Sequence, residues 1–180
     1  MPIHIRPLRT DEIPQITALI RASVRGLQAG DYDEAQREAA IATVFTVDTR
    51  LVADGGYFAA ETEDGILIGC GGWSARKTLY GGDHQLEDKA PDWLDPAVDA
   101  AKIRAIFVHP DWARQGIGAM LLHAAEQAAH TAGFRRYEMG STLTGVSLYK
   151  RSGYRELERI QVPVADGQTI EIVRMTKDAH

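Results

Sequence analysis

The segment whose residue types most directly suggest chemistry runs Val108-His109-Pro110-Asp111-Trp112-Ala113-Arg114-Gln115-Gly116-Ile117-Gly118. An apolar run ends before Pro110, a polar turn follows, and a helical pattern opens at paired glycines. The first N–H groups of a helix have no partner within it, and the helix dipole favours negative charge there. Gly116 and Gly118 carry no side chain, so an oxyanion can approach the backbone closely. Such a turn is a phosphate or diphosphate cradle; the alternative is that its glycines serve only close helix–strand packing. A kinase-type phosphate loop is excluded, because no Gly-Lys-Ser or Gly-Lys-Thr occurs. A dinucleotide-binding crossover wants a third small residue three positions after Gly118, where bulky Leu121 stands. Only Glu138, about 20 residues downstream, fits that pattern, as a ribose-binding acid.

Other reactive side chains read more plainly. Cys70 is the single cysteine and sits in an apolar run, as an inert buried thiol does. It can form neither an internal disulfide nor a cysteine zinc cage. His123 and His130 share a helix face but lie seven residues apart, about 10 Å by helical rise, so no metal site is expected from them. Trp73, Trp93 and Trp112 form no regular platform with basic residues, which disfavours single-stranded nucleic acid.

The elements that must position the glycine turn follow from periodicity. Ile3 to Leu8 alternates as a short strand, and Thr10 or Asp11 is placed to cap a helix with Ile13, Ile16, Leu19 and Ile20 on one face. A second helix is predicted from Asp33 towards Phe45, with Ala35, Ala39, Ala42 and Phe45 in contact. Strands at 57–61 and 66–73 flank the hairpin turn Glu63-Asp64-Gly65. Residues 74–99 are irregular and acidic, with Gly81-Gly82, Pro91, Pro96, Asp83, Glu87, Asp88, Asp92, Asp95 and Asp99. A loop this long is either functional or simply solvated. The strand 102–108 then feeds a helix from Gly116 to Ala132, whose apolar stripe is Ile117, Met120, Leu121, Ala124 and Ala128. Strand 135–140, a short helix 143–151, and strands 154–160 and 168–177, the last two joined by an Asp166-Gly167 turn, complete a mixed α/β order with one parallel crossover.

A length of 180 residues fits one domain, 1–180. With 44% hydrophobic and 25% charged residues the chain is expected to fold rather than remain disordered. No apolar run approaches the ~20 residues of a membrane span. The start, Met1-Pro2-Ile3-His4-Ile5-Arg6, lacks an apolar signal core, so the cytoplasm is the expected location. Residues 1–90 carry 9 basic and 14 acidic side chains, whereas residues 91–180 carry 11 of each. The net charge of −5 opposes broad binding to nucleic-acid backbone, while the neutral second half can still take a small anion.

Val108-x-Pro110, Arg114-Gln115-Gly116-Ile117-Gly118 and Met120-Leu121 resemble the acyl-CoA-binding motif of the GNAT N-acetyltransferase superfamily. Leu148-Tyr149-Lys150-Arg151-Ser152-Gly153-Tyr154 resembles its Leu-Tyr-x-x-x-Gly-Phe signature, one helix and one strand further on. The resemblance covers nearly the whole chain. It implies an α/β (α+β) fold with a mixed, mostly antiparallel central sheet of about seven strands, flanked by helices on both faces. It implies acetyl-CoA as co-substrate and transfer of acetyl to a primary amine by direct attack in a ternary complex. Main-chain groups of Ile106, Phe107 and Val108 would pair with the pantetheine arm where two strands splay. The turn of Arg114, Gln115, Gly116, Ile117, Gly118 and Ala119 would receive the diphosphate. Tyr149 is the implied catalytic acid for the thiolate; its alternative is an amphipathic core role beside Val146.

Two positions depart from the family pattern. Ala113 stands where a glutamine or arginine is usual, and Thr142 stands where many members carry a pantetheine-binding asparagine. No general base is evident: Glu61, Asp99, Glu138 and His109 are candidates, each with an ion-pair or surface role as the alternative. That gap motivates a second reading, a noncatalytic acyl-CoA-binding or sensing module. The expected partner is a small-molecule or peptide amine, with a homodimer open, and no nucleic acid, membrane or metal.

Overall fold

The computed structural model describes residues 2–81 and 93–179. Seven strands form one open sheet: β1 (Ile3–Pro7), β2 (Tyr57–Thr62), β3 (Leu67–Ser74), β4 (Ala101–Val108), β5 (Arg136–Thr142), β6 (Arg155–Pro163) and β7 (Thr169–Asp178). Their spatial order is β1-β2-β3-β4-β5-β7-β6. Only β4 and β5 run parallel, and every other neighbouring pair is antiparallel. The sheet is therefore mixed and mostly antiparallel, as the sequence implied. Both expected hairpins form, at 63–65 between β2 and β3 and at 166–167 between β6 and β7.

Alternation along the strands gives the sheet two apolar faces, and helices cover both. Tyr57, Ala59 and Cys70 face α1 (Ile13–Leu27), which buries Ile16, Leu19 and Ile20. Ala60 and Ile68 face α4 (Ile117–Thr131) through Ile117 and Leu121. Along the first of these faces lie α2 (Glu34–Ile41) and α3 (Thr49–Ala53), which bring Ala40, Ile41, Leu51 and Val52 into the same core. The short helix α5 (Val146–Arg151) follows β5.

Several local expectations are corrected. Neither Thr10 nor Asp11 caps α1 by its side chain; residues 10–12 form a separate 3-10 turn, whose Glu12 carboxylate accepts a hydrogen bond from the Arg9 N–H at 2.9 Å. The helix begun at Asp33 stops at Ile41, so Ala35 and Ala42 are exposed while Phe45 reaches the core from an irregular segment. The sequence showed no sign of α3. On α4, Met120 is exposed and Leu122, Ala125 and Ala129 are buried, because Phe134 and Tyr154 flank the helix and widen its buried arc beyond one stripe. In the irregular stretch, Arg76 stacks on Trp93 at 4.3 Å; Gly82, Asp83, Glu87, Asp88, Pro91 and Asp92 lie outside the described residues. Among the described residues no helix is long and apolar enough to cross a membrane.

One irregularity of the sheet sets up the rest. β4 and β5 pair only at Ala101↔Tyr137 and Lys102↔Glu138. Beyond Lys102, β4 continues for six residues, about 20 Å, without pairing to β5.

Candidate active site

The chain leaves β4 at Val108 and turns through His109, whose ring Nδ1 accepts a hydrogen bond from the Asp111 N–H at 3.1 Å. Arg114 and Gly116 both adopt left-handed backbone, with φ of +61° and +83°, and α4 begins at Ile117. The Ile117 side chain is fully buried against the sheet, so this residue offers the solvent side only its backbone. The two glycines have different causes. At Gly116 a Cβ would meet nothing within 4 Å, so the left-handed turn is what requires glycine. At Gly118 a Cβ would lie 3.0 Å from Leu148 Cδ2, a tight approach between α4 and α5 that the end of the leucine side chain would have to accommodate. The tight neighbour of Gly118 is thus a helix, with the strand residue Val108 at an ordinary 3.8 Å, and both glycines leave the first helical turn bare.

That turn forms one wall of a cleft of about 640 Å³. Ile106, Phe107 and Val108 line its floor, Arg114 and Gly116 to Ala119 one side, and Leu148, Tyr149 and Arg151 the other. Gln115 belongs to the turn but not to the cleft wall. Arg114 and Arg151 are the charged lining residues, and no carboxylate lines the cleft among the described residues. The cleft is cationic in a chain of net charge −5.

Behind it lies a smaller cavity of about 60 Å³, bounded by Phe45, Tyr80, Arg104, Met139 and Ser141 among others. The two cavities share Ile106, Phe107, Thr142 and Tyr149. Arg104 is the one charged side chain lining the smaller cavity among the described residues. It is buried, with Nη1 3.3 Å from a buried Asp48 carboxylate, and donates to the Gly81 carbonyl.

Tyr149 stands where the cavities meet. It is 8% exposed, its ring packs edge-on against Tyr154 at 5.9 Å, and its phenol makes no hydrogen bond among the described residues. Burial pushes this phenol well above its ordinary value, so it is protonated at neutral pH. Thr142 also borders both cavities, but its hydroxyl already accepts the Gly145 N–H at 3.1 Å.

The base candidates lie elsewhere; none lines either cavity. Glu138 is buried where β4 and β5 still pair, between Lys102 at 3.0 Å and Arg174. Burial pushes its carboxyl up, but hydrogen bonds from Arg174 and Lys102 outweigh this and hold it below the usual range. Glu61 pairs with Arg6 at 3.0 Å, which lowers it as well. Asp99 accepts the Asp95 N–H at 2.7 Å, and His109 caps its own turn. Cys70 is fully buried, and burial pushes its thiol up to about 12, an unreactive state. Among the described residues no group of three His, Cys, Asp or Glu side chains is placed to hold a metal ion. Sequence reasoning missed the lining of the smaller cavity, because Phe45, Tyr80, Arg104 and Ser141 come from four separate segments.

Residues 53–156 match the model of the acetyltransferase (GNAT) domain. Among curated proteins, none matches the chain significantly. Solved structures do. A GCN5-related N-acetyltransferase from Rhodopseudomonas palustris superimposes with a TM-score of 0.73 at 22% identity, over 99% of this chain and 96% of that one. The PaiA N-acetyltransferase of Thermoplasma acidophilum, solved with coenzyme A, gives 0.67 at 17% identity over 99% of both chains. A phosphinothricin acetyltransferase from Sinorhizobium meliloti, solved with acetyl-CoA, gives 0.65 at 17% identity, over 99% of this chain and 89% of that one. At such identities the likeness shows a shared fold.

Proposed function

Because the chain belongs to the GNAT family of acetyltransferases, we propose that it moves an acetyl group from acetyl-CoA to a primary amine by direct attack within a ternary complex. The single observation that carries this reading is the pair of cavities meeting at Tyr149, Ile106 and Phe107. The larger cleft suits the coenzyme and the smaller cavity the acceptor. The residues fit that ligand: two guanidiniums and a bare helix start suit a diphosphate, and an unpaired strand edge suits the amides of a pantetheine arm.

In this scheme Ile106, Phe107 and Val108 hold the arm by main-chain hydrogen bonds. Residues 114–119 hold the diphosphate, chiefly through backbone N–H groups and Arg114. Thr142 borders both cavities; its hydroxyl oxygen accepts the Gly145 N–H, which leaves the O–H proton to donate to the arm. Attack by the neutral amine on the thioester carbonyl forms the new C–N bond and breaks the C–S bond. Tyr149 donates its phenolic proton to the departing sulfur. The amine gives up its proton to solvent water, and solvent returns a proton to the Tyr149 phenolate once the CoA thiol has formed.

That no carboxylate lines either cavity among the described residues favours the second reading, a binding-only acyl-CoA module. A thiol-release screen of amines with acetyl-CoA separates the two. Transfer predicts free CoA with at least one acceptor, whereas coenzyme binding without thiol release across a broad panel rejects the enzyme.

A further inference from the structure

We propose that Tyr57, which lines neither cavity, is a positioning residue: its phenol pins a one-residue bulge in β4 that turns the amides of Ile106 and Val108 into the coenzyme cleft. The consequence for coenzyme binding rests on the function proposed above; the geometry does not.

The bulge is visible in the register. Cys70 pairs with Phe107, but Gly72 pairs with Arg104, so Ala105 and Ile106 together stand opposite Gly71. The side chains change phase across it. Ile103 belongs to the core shared with Leu122, whereas Phe107 lies in the opposite core, edge-on to Phe45 at 5.7 Å. In an unbulged strand residues 103 and 107 share a face.

The main chain changes phase too. Trp73 donates its N–H to Gly56 on the far side of β3, so Gly72 is the residue that turns its backbone to β4 and Arg104 answers it. Past the bulge, the His109 N–H donates to the Ile68 carbonyl at 2.8 Å. Strand alternation then gives residues 107 and 109 to β3, and gives 106 and 108 to the gap where β5 has splayed away. Without the extra residue, 106 and 108 would bond to β3 and the cleft floor would present 107 instead.

Three side-chain facts hold this arrangement. Ala105 is left-handed, φ +54°, a conformation alanine rarely adopts. Its carbonyl and Cys70 Sγ both lie 3.2 Å from the Tyr57 phenol oxygen and share its single proton, and the Cys70 thiol reaches the same carbonyl at 3.9 Å. Tyr57 is fully buried, while Ala105 is half-buried and lines the smaller cavity, so the bond is shielded from its phenol side. Burial also raises the phenol well above its ordinary value and keeps it a donor. Opposite, a Cβ on Gly71 would come 2.7 Å from Ile106 Cγ1 and 3.2 Å from its Cα, so the bulge needs glycine there.

The test combines Tyr57→Phe, Ala105→Val and the double variant Tyr57→Phe/Ala105→Gly. Affinity for acetyl-CoA is measured by calorimetry, and amide hydrogen exchange over residues 104–109 is measured in the uncomplexed protein. Losing the phenol's hydrogen bond is expected to weaken acetyl-CoA about 10-fold and to speed exchange by a similar factor. Ala105→Val, which resists the left-handed backbone, is expected to do the same. Glycine adopts φ +54° without a pin, so the double variant recovers to within about 3-fold of wild type. A role in core packing alone predicts no recovery, since glycine removes a further methyl. Unchanged affinity and exchange in Tyr57→Phe, or no recovery in the double variant, overturns the proposal. If the wild type itself binds no acetyl-CoA, the functional reading fails, and the exchange measurements still decide the bulge.

Discussion

Ala119→Glu places a negative charge in the diphosphate cradle without touching the core. Ala119 is exposed, lies in the first turn of α4 and lines the cleft. An acid in the first turn of a helix stabilises it by about 0.3–1 kcal/mol, so Tm should stay constant or rise by up to about 4 °C. For an anionic ligand the sign is opposite. A carboxylate about 5 Å from two diphosphate charges costs about 2 kcal/mol at an effective dielectric near 40 and physiological salt. A glutamate here can also reach back to the Gly116 N–H and occupy the cradle itself. Together these weaken CoA binding about 30-fold or more by calorimetry, a deficit that narrows as salt rises. Ala119→Gln has similar bulk without charge and should lose less than about threefold. Wild-type affinity in Ala119→Glu, or an equal loss in Ala119→Gln, refutes the electrostatic reasoning.

Three further outcomes are expected. Tyr149→Phe keeps its fold, since the phenol makes no hydrogen bond among the described residues; turnover in the thiol-release assay falls about 100-fold while acetyl-CoA affinity stays within about threefold. For an acceptor of pKa about 10.4, log kcat/KM rises with a slope of about 1 through neutral pH. Because burial raises the Tyr149 phenol, no loss of the acid interrupts that rise below about pH 10, and a plateau near pH 6–7 would reveal an additional base. Finally, the hydrogen bond from Arg6 outweighs burial and holds the Glu12 carboxyl at about 2. A depressed carboxyl stabilises the fold above its unfolded value and loses that stability as pH falls. Glu12→Gln should therefore cost up to about 3 kcal/mol at pH 7 in urea unfolding, a difference that closes between about pH 4.5 and 2.

What the sequence made legible was local. The glycine turn and Tyr149 each sit in a contiguous motif, because a helix start and an adjacent strand end must follow one another along the chain. The hairpins were legible for the same reason. The bulge at Ala105 was not: Lys102 to Val108 reads as an ordinary strand, and a left-handed alanine has no compositional mark. Glu138 looked like a base candidate because an acid on a strand reads alike whether it takes protons or pairs ions; its partners, Lys102 and Arg174, are each 36 residues away. Nor could periodicity bring Phe45, Tyr80, Arg104 and Ser141 around one cavity, since only the tertiary fold joins those segments.

The central claim, that backbone amides of the 114–119 turn hold the coenzyme's diphosphate while the thioester reaches Tyr149, is tested most directly by a crystal structure with acetyl-CoA. The account predicts diphosphate oxygens within about 3 Å of first-turn N–H groups of α4 and the sulfur beside the Tyr149 phenol. Coenzyme bound outside this cleft, or a turn closed over by its own side chains, would contradict it.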